Sequence, residues 1–155
     1  GIELHLVTRD RVEPEPGVFL YNNLQPNSPR LRALYHDCDI FCLPTLGDGL
    51  PMALSEAGAA GLPLVSTVVA AIPEIVRDGE TGFLLRPGDA RQLAEVLRCL
   101  ILDAQRRLDL GARAAGVVRT EFDATRNARR LLDLLLRIVD TSRNSNGNHD
   151  KGRKL

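Results

Sequence analysis

Two carboxylates flank a Gly-rich turn in "TLGDGLPMALSEAGAAGLP" (45–63). Asp48 sits in the turn, and Glu56 follows after seven residues in a run of small side chains. Ionised carboxylates accept hydrogen bonds and can hold hydroxyl groups. A helix start between them would leave backbone N–H groups free, which attract anions. The ordinary alternative is a turn and a helix start with Glu56 on a solvated face, because acids on surface helices are common. A second group of chemically able residues, His36, Asp37, Cys38 and Asp39, lies in "YHDCDIFC" (35–42). It has neither a CxxC pair nor a matching second half, so it reads as a helix end entering a buried strand, with Cys42 as a small hydrophobe. No metal and no cofactor are expected.

The elements that must position Asp48 and Glu56 are legible as alternating patterns. "IELHLV" (2–7), "GVFLY" (17–21), "DIFCLP" (39–44), "LPLVS" (62–66) and "TGFLL" (81–85) are short apolar runs bounded by Gly, Pro or Asp, and read as buried strands. Helical patterns fall at 27–38, with Ser28 as N-cap and Pro29 at the first helical position, and at 51–61. A short turn of helix follows at 72–79, then helices near 89–103, 104–119 and 123–139, with Asp89 and Asp123 as N-caps. Leu93, Val96, Leu97, Leu100 and Ile101 form a helical apolar stripe suited to a core. Strand–helix alternation with nearly all-apolar strands implies an α/β fold, a Rossmann-like parallel sheet with helices on both faces. The polar, aperiodic "TSRNSNGNHDKGRKL" (141–155) reads as a disordered tail after a domain spanning 1–140.

Ligands of open parallel sheets bind beyond the carboxyl ends of the strands. The strand "IFCLP" ends where the acidic stretch begins, which places Asp48 at that rim. Gly49 supplies a flexible turn, and Pro51 suits the first turn of the next helix. Free N–H groups from about Leu50 to Leu54 would then suit a diphosphate. Glu56 falls roughly 7–8 Å beyond Pro51 along the helix. A molecule with hydroxyls at both ends and a diphosphate between them matches this order, and a nucleotide-sugar is such a molecule.

The chain of 155 residues has the size of one domain; 44% hydrophobic and 26% charged residues are ordinary for a globular protein. Twenty basic and twenty acidic side chains cancel, which argues against nucleic acid or an anionic membrane as a broad electrostatic partner. No apolar run reaches transmembrane length, since "RRLLDLLLRIVD" (129–140) is broken by charges. Three cysteines form no disulfide framework, so a reducing, cytoplasmic location is expected, with a peripheral place at the membrane left open. No G-x-G-x-x-G follows a strand, and no G-x-x-x-x-G-K-[ST] occurs. The chain opens on Gly1 directly in a strand pattern, the look of a polypeptide entered in its middle.

Several motifs in one order then carry a resemblance. "DGLPMALSEAGAAGLPLVST" (48–67), preceded by "SPRLRALYHDCDIFCLPT" (28–45), is followed by "IPEIVRDGETGFLLRPGDARQLAEVL" (72–97), the Leu110-Gly111 turn and "EFDATR" (121–126). Together they resemble the carboxyl-terminal, donor-binding half of the family 4 retaining glycosyltransferases (group 1 glycosyl transferases), two-domain enzymes of GT-B fold, over roughly residues 2–140. The resemblance implies transfer of a hexose from a nucleotide-sugar with retention of configuration. It implies that Glu56 binds the ribose hydroxyls, that Asp48 occupies the catalytic position touching the transferred sugar, and that backbone groups of Gly49, Leu50, Pro51 and Met52 line sugar and phosphates. Glu74 matches a family position and is expected to cap or brace its loop. Asp48 stands where the family has Glu, one C–C bond or roughly 1.5 Å shorter. The family's first strand, its diphosphate-binding Arg and Lys, and the amino-terminal domain that takes a sugar, lipid-linked or small-molecule acceptor have no counterpart in these residues. A break is therefore expected between the strands near 2–7 and 39–43. A non-catalytic nucleotide-binding module and a sugar-nucleotide epimerase of the same architecture stand as alternatives.

Overall fold

The computed structural model describes residues 1–13 and 15–147. Its elements run β1 (Leu4–Val7), β2 (Val18–Tyr21), α1 (Pro29–Asp37), β3 (Phe41–Leu43), α2 (Met52–Ala59), β4 (Leu64–Thr67), α3 (Ile72–Ile75), β5 (Gly82–Leu85), α4 (Ala90–Leu102), α5 (Ala104–Glu121) and α6 (Ala124–Gly147). Capping explains several of the helix starts. The Ser28 hydroxyl accepts from the Leu31 N–H with Pro29 opening α1, and the Asp89 and Asp103 carboxylates accept from Gln92 and Arg106 N–H groups at α4 and α5. Asp123 accepts from the Arg126 N–H at 2.6 Å where α6 begins.

All strand pairs are parallel. β3, β4 and β5 form one sheet in that order, with Cys42 and Phe83 both opposite Val65. Side-chain alternation splits the core in two. Phe41, Leu43, Leu64 and Leu84 pack with Leu54 and Ala57 of α2, Ile72 and Ile75 of α3, and Ala114 and Val118 of α5. Cys42, Val65, Phe83 and Leu85 pack on the other face with Leu93, Val96 and Leu100 of α4 and with Leu110. Helices thus cover both faces, as the nearly all-apolar strands require. Gly111 lets α5 approach the turn between α2 and β4, since a Cβ there would stand 1.8 Å from the carbonyl oxygen of Gly61.

β1 and β2 form a separate two-stranded sheet, so the expected break after the first strands is present. Leu4 and Val7 of β1 are half exposed. Two expectations need correction. The helix expected over 72–79 stops at Ile75, because the buried Thr81 hydroxyl takes the Arg77 N–H (2.8 Å) and donates to the Ile75 carbonyl (2.8 Å). The polar tail expected from residue 141 is helical as far as Gly147. Once a helix exists, each further residue adds a backbone bond for little extra ordering, and the Thr141 hydroxyl donates to the Arg137 carbonyl at 2.8 Å. The remainder, 148–155, lies outside the described residues.

Candidate functional site

The segment from the end of β3 to the middle of α2 carries both carboxylates. Beyond Leu43 the chain is fastened to the end of β4 by two buried hydroxyls. Ser66 donates to the Leu43 carbonyl at 2.7 Å, and Thr67 donates to the Thr45 carbonyl at 2.6 Å. Thr45 in turn folds the loop, its hydroxyl donating to the Gly47 carbonyl (3.1 Å) and accepting from the Gly47 N–H (3.2 Å). The Gly49 carbonyl accepts from the Ala71 N–H at 3.3 Å, which ties the loop to the β4–α3 connection. Asp48 therefore lies at the carboxyl rim of parallel neighbours β3 and β4, where the sequence places it. Its side chain is exposed, and among the described residues Oδ1 accepts only from the adjacent Gly49 N–H, at 2.7 Å.

Pro51 is buried with extended backbone and forms the N-cap of α2, one position before the first helical turn expected of it. Proline brings no capping side chain, and α2 has no side-chain cap hydrogen bond. The free N–H set is nonetheless shorter than the sequence suggests, because Leu54 donates to the Pro51 carbonyl at 3.1 Å. Gly49, Leu50 and Met52 are exposed around this helix start. An uncapped helix N-terminus carries partial positive charge and suits an anion.

Glu56 lies in the second turn of α2 and is half-buried against α1. Its Oε2 accepts a hydrogen bond from the Tyr35 hydroxyl at 3.0 Å. Burial first, then this bond and the Glu56 charge, hold the Tyr35 phenol well above its ordinary pKa, so it stays protonated. The two side chains meet in a groove of about 240 Å³ between α1 and α2, lined also by Asn27, Leu31, Arg32 and His36. Sequence reasoning missed Tyr35, which sits in what reads as a plain surface helix. The available signal was that it is the sole aromatic of α1, and a partly buried tyrosine needs a partner for its hydroxyl. A second hollow of similar size, lined by Cys38, Asp39, Leu62 and Pro63, lies at the opposite, amino-terminal edge of β3 and β4. Glu74 does not brace its loop: it is exposed, and among the described residues its side chain has no hydrogen bond or ion pair.

The arrangement resembles known proteins in sequence and in fold. The family model described as "Glycosyl transferases group 1" matches residues 3–103. An amylovoran biosynthesis glycosyltransferase from Erwinia amylovora is 38% identical over 109 residues, covering 66% of this chain and 27% of its own length. Among solved structures, the C-terminal domain of a group 1 family glycosyl transferase from Francisella tularensis superposes with a TM-score of 0.63 at 25% identity, covering 70% of this chain and 55% of that one. The HepE protein of Anabaena, solved in complex with UDP-glucose, superposes with a TM-score of 0.69 at 24% identity, covering 78% and 32%. The chain spans under a third of the length of the curated relatives it matches. No described helix is long and apolar enough to cross a membrane. With the matched region covering both carboxylates and the whole β3–β4–β5 sheet, the chain belongs to the group 1 glycosyl transferase family, and its fold is that of GT-B glycosyltransferases.

Proposed function

We propose that this chain is the donor-binding part of a retaining hexosyltransferase that uses a nucleotide-sugar. The observation that carries this reading is the α2 N-terminus, uncapped by any side chain and flanked by Asp48 before it and Glu56 after it. In the proposed complex the diphosphate meets the exposed backbone around Gly49, Leu50 and Met52, with the Pro51 carbonyl beside it. Glu56 accepts hydrogen bonds from the ribose, and Asp48 from a hydroxyl of the sugar to be transferred. The chemistry is then positioning plus stabilisation of the departing diphosphate by the helix start. HepE, with UDP-glucose bound, supports a donor of this class. The glycosyltransferase relatives favour transfer over epimerisation or a purely binding role. The acceptor, a sugar, a lipid-linked sugar or a small molecule, meets the donor from a second domain, and the enzyme works in the cytoplasm.

The test is a panel of nucleotide-sugars against the full-length enzyme, read by calorimetry and product release. Glu56→Ala is expected to weaken donor binding by about 1.5–3 kcal/mol, the range for hydrogen bonds to a charged group. Unchanged donor affinity would remove Glu56 from the site.

A further inference from the structure

The Tyr35–Glu56 bond joins two helices across 21 residues of sequence. A glutamate on a helix surface has three side-chain torsions to order before it can hold a ligand, and that ordering opposes binding. Glu56 is partly relieved of this cost. Its Oε2 is engaged by a phenol whose ring lies 5.8 Å from that of Phe41, both rings partly buried and packed against the core cluster of one sheet face. Tyrosine has only two torsions, and here the packed ring restricts both. Among the described residues Oε1 of Glu56 has no hydrogen-bond partner, and the carboxylate keeps acceptor capacity on both oxygens. The burial that keeps the phenol protonated also keeps it a donor at any working pH.

We propose that Tyr35 is a positioning residue for nucleoside-diphosphate recognition: its hydroxyl holds one oxygen of the Glu56 carboxylate and leaves the rest to accept the ribose hydroxyls. The proposal rests on the reading of Glu56 given above. It makes a distinction that a purely structural tyrosine does not. Loss of the hydroxyl should weaken recognition of the ribose diol and spare contacts to phosphate and base. Tyr35→Phe retains the ring and its contact with Phe41.

The experiment measures calorimetric affinities of UDP, GDP and ADP, each beside its 2′,3′-dideoxy counterpart, for the full-length protein, Tyr35→Phe and Glu56→Ala. The unaltered protein is expected to bind one diphosphate more tightly than its dideoxy form, and Glu56→Ala to erase that preference. Tyr35→Phe, which removes an orienting bond and leaves the carboxylate itself in place, is expected to reduce the preference by about three- to tenfold, the range for one ordinary hydrogen bond, with dideoxy affinity unchanged. Full retention of the preference in Tyr35→Phe overturns the proposal and leaves the Glu56 reading standing. An equal loss for both forms of the ligand shows a structural role and also overturns it. Absence of any preference in the unaltered protein, or of binding by all three diphosphates, removes the Glu56 reading and this proposal together.

Discussion

The Thr67 hydroxyl, fully buried at the end of β4, makes a 2.6 Å bond to the Thr45 carbonyl, five residues after Ile40 and three before Asp48. Valine has nearly the same shape but no donor. In Thr67→Val the carbonyl loses its partner in a place where water has little access, a cost of about 1–2 kcal/mol. Urea denaturation is expected to show that loss of stability, and Thr67→Ser, which keeps the hydroxyl, to recover most of the hydrogen-bond part. No recovery by serine would mean that the methyl group, not the bond, holds the two strand ends together.

At the scale of elements, helix packing and helix capping can be tested separately. Gly111 of α5 meets backbone: an added Cβ falls 1.8 Å from the Gly61 carbonyl oxygen. Gly58 of α2 meets side chains and no backbone, the nearest Val118 Cγ2 at 2.9 Å, and a β-branched valine within a helix has little rotamer freedom to move away. Gly111→Ala is therefore expected to cost about 3 kcal/mol or more, because two main chains must separate. Gly58→Ala is expected to cost about 1–2 kcal/mol, less than Gly111→Ala, since side chains and not main chains must shift and alanine's better helix propensity offsets part of the crowding. Comparable denaturation midpoints for the two variants would contradict this packing. Capping is tested through pH. The Gln92 N–H, and then the Arg86 guanidinium, hold the Asp89 carboxyl below its usual range in the folded chain. A folded pKa below the unfolded one stabilises the fold above the unfolded carboxylate value, about pH 4, and that contribution disappears as pH falls through the folded value. Asp89→Asn should lower the melting temperature at neutral pH and flatten its decline in acid. A parallel downward shift at every pH would show that Asp89 stabilises without titrating.

For the whole molecule, the two sheets are separate, and α6 exposes Leu131, Leu132, Leu135 and Leu136 along its length. The chain covers less than a third of the length of the Erwinia amylovora glycosyltransferase that it matches. A donor site without an acceptor held opposite it cannot reach attack geometry, however well it binds. A polypeptide of residues 1–155 alone is therefore expected to transfer no sugar, as measured by product formation across a panel of donors and acceptors. Measurable transfer by it would overturn the division of labour proposed here.

The order of elements and the position of Asp48 were determined by sequence alone, for local reasons. Apolar runs bounded by Gly and Pro mark strands, Ser28 and Asp89 mark helix starts, and a loop leaving a parallel strand must begin at its carboxyl rim. The pairing of β3 with β4 also followed, since a crossover helix between two apolar strands leads to a parallel neighbour. The reach of α6 to Gly147 did not follow, because Ser and Asn have weak local preferences that a helix already under way can override. Nor did the partner of Glu56. Tyr35 lies on another helix, and only the packing of α1 and α2 on one sheet face brings its hydroxyl within 3.0 Å of that carboxylate. Local chemistry announces which residues can hold a hydroxyl, whereas the side chain that orients them comes from a segment distant in sequence, and tertiary packing alone selects it.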